Sequence, residues 1–202
     1  MNRKTGMFSS LVNSAAVFIF ALCMIIGTDY GSFIASMFIA FSFVPMVSTF
    51  CHYSSPEKKA AGYSALVFSA VYSVFILAVY YAQVTTVSLE TISREVSQYI
   101  DYSKYGLFFN FDLLGYALMA LSTFFAGLTI DAVTKADKWL KRLLIIHGVF
   151  FLSCFIIPMI GLFSSDMKGP DWIGTAVLEF WCVYFIPVGI LSFLHFKNKS
   201  TE

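Results

Sequence analysis

The chain has 202 residues, of which 58% are hydrophobic and 12% charged, with 23 phenylalanines and a formal net charge of +1. Soluble globular chains carry roughly 25% charged residues, so this composition excludes an ordinary water-soluble core and makes a lipid bilayer the natural surroundings. The near-neutral balance excludes a basic nucleic-acid surface.

Taken in chain order, residues 5–28, 30–56, 60–89, 113–130 and 143–165 contain no Asp, Glu, Lys or Arg. Residues 172–196 are interrupted only by Glu179 and His195. A helix crossing the ~30 Å hydrocarbon layer needs about 20 apolar residues, and each stretch reaches that length, with 108–111 extending the fourth. None alternates apolar with polar residues as a barrel strand must. The predicted fold is an all-α, polytopic membrane helix bundle, a single integral membrane domain over 1–202. Its six transmembrane helices lie near 8–28, 31–52, 61–85, 108–130, 140–163 and 173–195.

Arg3 and Lys4 precede the first apolar run as in a secretory signal. The run is longer than a typical signal core and no small-residue cleavage site follows, so it is expected to remain as a helix. The longest connection, 88–106, repeats Leu89, Ile92, Val96, Tyr99 and Ile100 at helical spacing between Glu90, Arg94, Gln98 and Asp101. That pattern predicts a short amphipathic interfacial helix near 88–104, either a lid or a plain connector. Pro45, Pro158 and Pro187 are expected to kink the second, fifth and sixth spans.

Basic residues set the orientation. Ten of the 13 Lys and Arg fall in the N-terminus, the 2–3 loop, the 4–5 loop and the C-terminal tail; Arg94, Lys104 and Lys168 fall on the other side. Positive segments stay inside, so both termini are expected in the cytoplasm of a cell that carries the protein in its plasma membrane. The four cysteines lie within or at the ends of spans and form no CxxC, which reads as core packing.

Small and polar residues line one face of several spans: Ser9, Asn13, Ala16, Phe20, Cys23 and Gly27; Ser32, Ser36 and Ala40; Gly62, Ala65, Ser69, Tyr72, Ile76, Tyr80 and Gln83; Asp112, Gly115, Met119, Thr123 and Gly127. Such faces let helices approach closely in lipid and mark the bundle interior.

Two carboxylates demand more. Glu179 lies roughly 10 Å below the outer surface and Asp112 about 6 Å, at 1.5 Å per residue. Tyr80, Gln83, Asn110 and Tyr116 reach the same level. A charge in hydrocarbon costs at least ~2.5–3.5 kcal/mol, and no Lys or Arg is placed at that depth. One reading is a protonated Glu179 bonded across helices and an Asp112 reaching back to the interface. The other is an acidic polar pocket in the outer half of the bilayer, binding a small polar or cationic ligand or a proton.

His52, His147 and His195 lack the HxxxH or HExxH spacing of a metal site, and no cofactor is expected. There is no GxSxG, phosphate loop or Ser-His-Asp spacing. The layout resembles small six-helix prokaryotic integral membrane proteins of unknown function, through "KKAAGY" at 58–63 and "DKWLKRLLIIHG" at 137–148. That resemblance implies a prokaryotic cytoplasmic membrane and transfers no site residues. The function expected is a binding or transport-type multi-pass protein. The alternatives are a partner subunit that meets another membrane protein or its own copy through a face such as Ser32–Ser36–Ala40, and an intramembrane enzyme using Glu179.

Overall fold

Long apolar segments joined by short connections can pack only by folding back on one another. The computed structural model describes residues 1–90, 92–161 and 172–199, with the side chains of Trp172 and Ile173 left out. Among these the chain is all-α, and six helical stretches are long and apolar enough to cross a membrane. The helices are α1 (Asn2–Ile26), α2 (Asp29–Tyr53), α3 (Lys59–Ala82), α4 (Arg94–Ile100), α5 (Leu107–Thr129), α6 (Lys135–His147), α7 (Phe150–Met159) and α8 (Trp172–Lys197).

The bundle has two distinct ends. At one, the termini end, the Asn2 amide donates to His52 Nε2 (2.9 Å) and Lys59 Nζ donates to the Cys51 and His52 carbonyls. There too Lys58 pairs with Asp131, holding that carboxyl below the usual carboxylate range. At the far end lie the α1–α2 turn, the top of α3, α4 and the start of α5. The principal packing runs α8–α1–α2–α3–α5, with α6 and α7 both resting on α5 and α6 reaching α8.

Each helix buries the face its sequence marks. The small and polar stripe of the third span, from Gly62 to Gln83, is buried throughout, as is that of α5 from Asp112 to Gly127. Ser32, Ser36 and Ala40 are buried against the chain's own helices. On α1 the stripe holds through Phe20, while Cys23 is half-buried and Gly27 exposed. Phe8, Phe18, Phe38, Phe41 and Val74 are exposed instead. Hydroxyl and amide groups stitch the helices together: Asn13 Nδ2 donates to Ile39 O and Ser42 Oγ, Ser73 to Ala40 O, Ser122 to Ala65 O and Tyr184 to Leu143 O. In an apolar medium such bonds average about 0.6 kcal/mol each.

Two expectations need correction. The segment near 88–104 is not one helix. A π-helical turn, Gln83–Val87, ends the third span, Glu90 takes a left-handed conformation, and only Arg94–Ile100 is α-helical. Local polar groups cut it short. Ser93 Oγ accepts from Val96 N to start it, and Asp101 Oδ1 accepts from Ser103 N, bending the chain into the 3₁₀ turn Tyr102–Lys104.

The fifth span is likewise two helices. Gly148 N bonds to Ile145 O and Val149 N to Ile146 O, a tightened i→i−3 pattern that separates α6 from α7. The break sits ten residues before Pro158, at a glycine where a Cβ would lie 2.9 Å from Phe124 Cβ. The span starts earlier than expected, at Lys135, since Thr134 and Asp137 form a complete capping box. The expected end of this span, residues 162–163, and the orientation marker Lys168 lie outside the described residues. α2 and α8 continue as helices through Pro45 and Pro187.

Candidate functional site

The far end of the bundle collects polar groups from four elements. Asp112 enters from α5, about 8 Å along the helix at 1.5 Å per residue, and is only 2% exposed. Its position follows from sequence spacing: Asp112, Gly115 and Met119 share the face that α5 presents to α3. Tyr102, on the 3₁₀ turn after α4, donates its hydroxyl to Asp112 Oδ2 at 3.4 Å. Burial and the adjacent carboxyl push the Tyr102 phenol well above its ordinary pKa, so it is a neutral donor. The Tyr80 hydroxyl from α3 also acts on this carboxyl, and Tyr116, one turn below on α5, lies near Tyr80 and Ser36.

Aromatic rings enclose the acid. Phe33 stacks on Tyr80 with centroids 5.4 Å apart and meets Tyr102 at 6.0 Å. Tyr102 touches Phe109 at 5.1 Å, and Tyr72 meets Tyr116 at 5.9 Å. Gln83 anchors the cover from below: its amide donates to Ile100 O, and its Oε1 accepts from Tyr102 N.

The accounting of hydrogen bonds leaves a deficit. Among the described residues, Asp112 Oδ1, Ser36 Oγ and Tyr72 Oη are buried without a hydrogen-bond partner, three orphans around one cluster. Buried polar atoms are nearly always satisfied, so orphans that converge mark a place where a donor or water belongs. Among the described residues no Lys or Arg acts on Asp112.

The sequence-predicted residues divide accordingly. Asp112, Tyr80 and Tyr116 come together, and Gln83 supports the segment above them. Asn110 is exposed and borders a shallow groove of about 160 Å³ with Leu114, Cys154 and Pro158. Glu179 is half-buried, forms no hydrogen bond among the described residues, and leaves Oε1 without a partner. The titratable group it acts on is Cys182 of its own helix, not Asp112. Asp112 does not reach back to the surface, and among the described residues Glu179 finds no tyrosine or serine. Tyr102 was missed. Its signal is the run Tyr99, Tyr102, Tyr105 at steps of three in an otherwise polar loop.

The histidines have other tasks. His147 is buried between α5 and α8; Trp181 Nε1 donates to its Nε2 at 3.0 Å, so its proton sits on Nδ1 and goes to Thr123 Oγ1 at 2.8 Å. The Thr123 hydroxyl passes its own proton to Ala120 O. Both ring nitrogens are thus committed. His195 Nδ1 meets Asp137 Oδ1 at 2.6 Å, tying the end of α8 to the start of α6. Among the described residues no group of three metal-ligating side chains forms. Compared with protein-family models, with curated proteins and with solved structures, the chain matches none.

Proposed function

We propose that this is a multi-pass protein of the plasma membrane, of binding or transport type, with Asp112 at the centre of a site in the outer half of the bilayer. The ligand is a small cationic or polar molecule or a proton. The observation that supports this is a carboxyl enclosed by tyrosines that has, among the described residues, one oxygen unpartnered and no basic neighbour. A group held that way needs either a proton or a positive guest, since an uncompensated charge in hydrocarbon is costly. Tyr80 and Tyr116 flank the acid and Gln83 holds the cover; Glu179 and Asn110 stand outside the ring of tyrosines and are assigned no direct contact.

The experiment is thermal unfolding of detergent-purified wild type and Asp112→Asn, across a pH series and a panel of small cations and polar solutes. A ligand at 100 times its Kd adds about 2.7 kcal/mol, which corresponds to a rise of about 5–10 °C for a chain of this size. Wild type is expected to respond to acid or to a panel member, with Asp112→Asn flat. Identical profiles for the two proteins in every arm overturn the proposal.

A further inference from the structure

The chemistry of the enclosure narrows the guest, taking the Asp112 reading as given. Inorganic cations such as Na⁺ or Mg²⁺ seek several oxygen ligands, carboxylates and free backbone carbonyls above all. Here, among the described residues, there is one carboxylate. α5 runs as an unbroken helix from Leu107 to Thr129 without proline, so its carbonyls near Asp112 stay within the helix. What surrounds the acid instead is aromatic: Phe33 from α2, Tyr80 from α3, Tyr102 from the 3₁₀ turn and Tyr116 from α5. Aromatic faces joined to a single carboxylate attract an organic ammonium group, whose charge is spread over CH groups and whose N–H can donate one bond.

We infer that the Asp112 site takes an alkylammonium group, its N–H directed at the unpartnered Asp112 Oδ1 and its alkyl groups against the tyrosine and phenylalanine rings. Tyr102 is the group that yields to the guest. Its hydroxyl makes a long bond to Asp112, and it sits half-buried on a short turn fastened by the Gln83 side chain. Admitting the guest therefore means moving the Tyr102 phenol off Asp112 Oδ2.

The test is calorimetric titration of purified protein with methylammonium, trimethylammonium and tetramethylammonium, and with potassium as ionic control. Saturable binding of trimethylammonium is expected, at least tenfold tighter than potassium and tighter than tetramethylammonium, which has no N–H. Asp112→Asn should weaken it at least tenfold. Tyr80→Phe should retain binding and Tyr80→Leu lose it, because the ring and not the hydroxyl makes the contact; circular dichroism confirms that both variants are folded. Alkylammonium ions binding no better than potassium, or equally well to Asp112→Asn, overturn the inference. If acid still stabilises wild type and not Asp112→Asn, the acidic site stands and only the ammonium assignment falls. If that response is missing as well, both fall.

Discussion

His147 shows how a polar side chain is kept inside an apolar bundle. Its ring is surrounded by Phe150, Trp181, Tyr184 and Phe185, and among the described residues its polar contacts are the Trp181 N–H and the Thr123 hydroxyl. Removing the Trp181 N–H strands the buried acceptor Nε2, and removing the Thr123 hydroxyl strands the Nδ1–H donor; either costs about 1–3 kcal/mol. Trp181→Phe is therefore expected to lower the thermal midpoint well beyond Trp139→Phe, since Trp139 is exposed and carries only a contact with Arg142. Equal midpoints in the two variants would show that the His147 bonds contribute nothing. The position of His147 inside the fifth span was readable from its apolar neighbours. Its partners were not, because Trp181 and Thr123 come from helices 34 and 24 residues away, and nothing local encodes such pairings. The same holds for Asp112. Its burial was legible from the stripe it shares with Gly115 and Met119, whereas Glu179 sits among equally apolar neighbours yet joins no cluster.

At the scale of elements, the connection from α3 to α5 carries the least legible structure and the most consequence. Periodicity in 88–104 suggested a continuous amphipathic helix, but Ser93 and Asp101 side chains compete for the backbone and leave only Arg94–Ile100 helical. The long apolar helices were legible because composition alone specifies them. The break at Gly148 was not, and neither was the close approach of Phe124 from another helix at that glycine. Close approach also seats the cover. A Cβ at Gly106 would fall 2.1 Å from the Gln98 carbonyl oxygen, a backbone atom that cannot swing aside. Gly106→Ala must push the α4 turn off the bundle, and overpacking of this kind costs about 1–3 kcal/mol. Amide hydrogen exchange of residues 94–104 is expected to accelerate about tenfold in Gly106→Ala, the factor that 1.4 kcal/mol represents. Gly174→Ala, with nothing within 4 Å, serves as the control and should leave exchange unchanged. Unaltered exchange in Gly106→Ala would mean that the segment is not held against the bundle by this contact.

For the whole molecule, the asymmetry of charge is the property that decides which end meets which solution. Some of the basic residues at the termini end have structural duties: Lys59 bonds the last carbonyls of α2, Lys141 bonds Ile130 O, and Lys58 pairs with Asp131. Arg3, Lys4, Lys135, Lys138 and Arg142 have no such bond or ion pair among the described residues, so their clustering at one end is what the retention of positive segments in the cytoplasm would produce. If the basic end is cytoplasmic, the Asp112 end of the bundle faces the exterior. The test uses a chain whose four cysteines are replaced by alanine, carrying one reporter cysteine at Tyr99 or Val133. These positions are 63% and 84% exposed and lie at opposite ends of the bundle. An impermeant maleimide added to intact cells is expected to label Tyr99→Cys at once and Val133→Cys only after the membrane is opened. The reverse pattern would place Asp112 on the cytoplasmic side and make its guest an internal one. Labelling of both in intact cells would mean that the two ends do not face opposite solutions, and the six-span arrangement would fall with it.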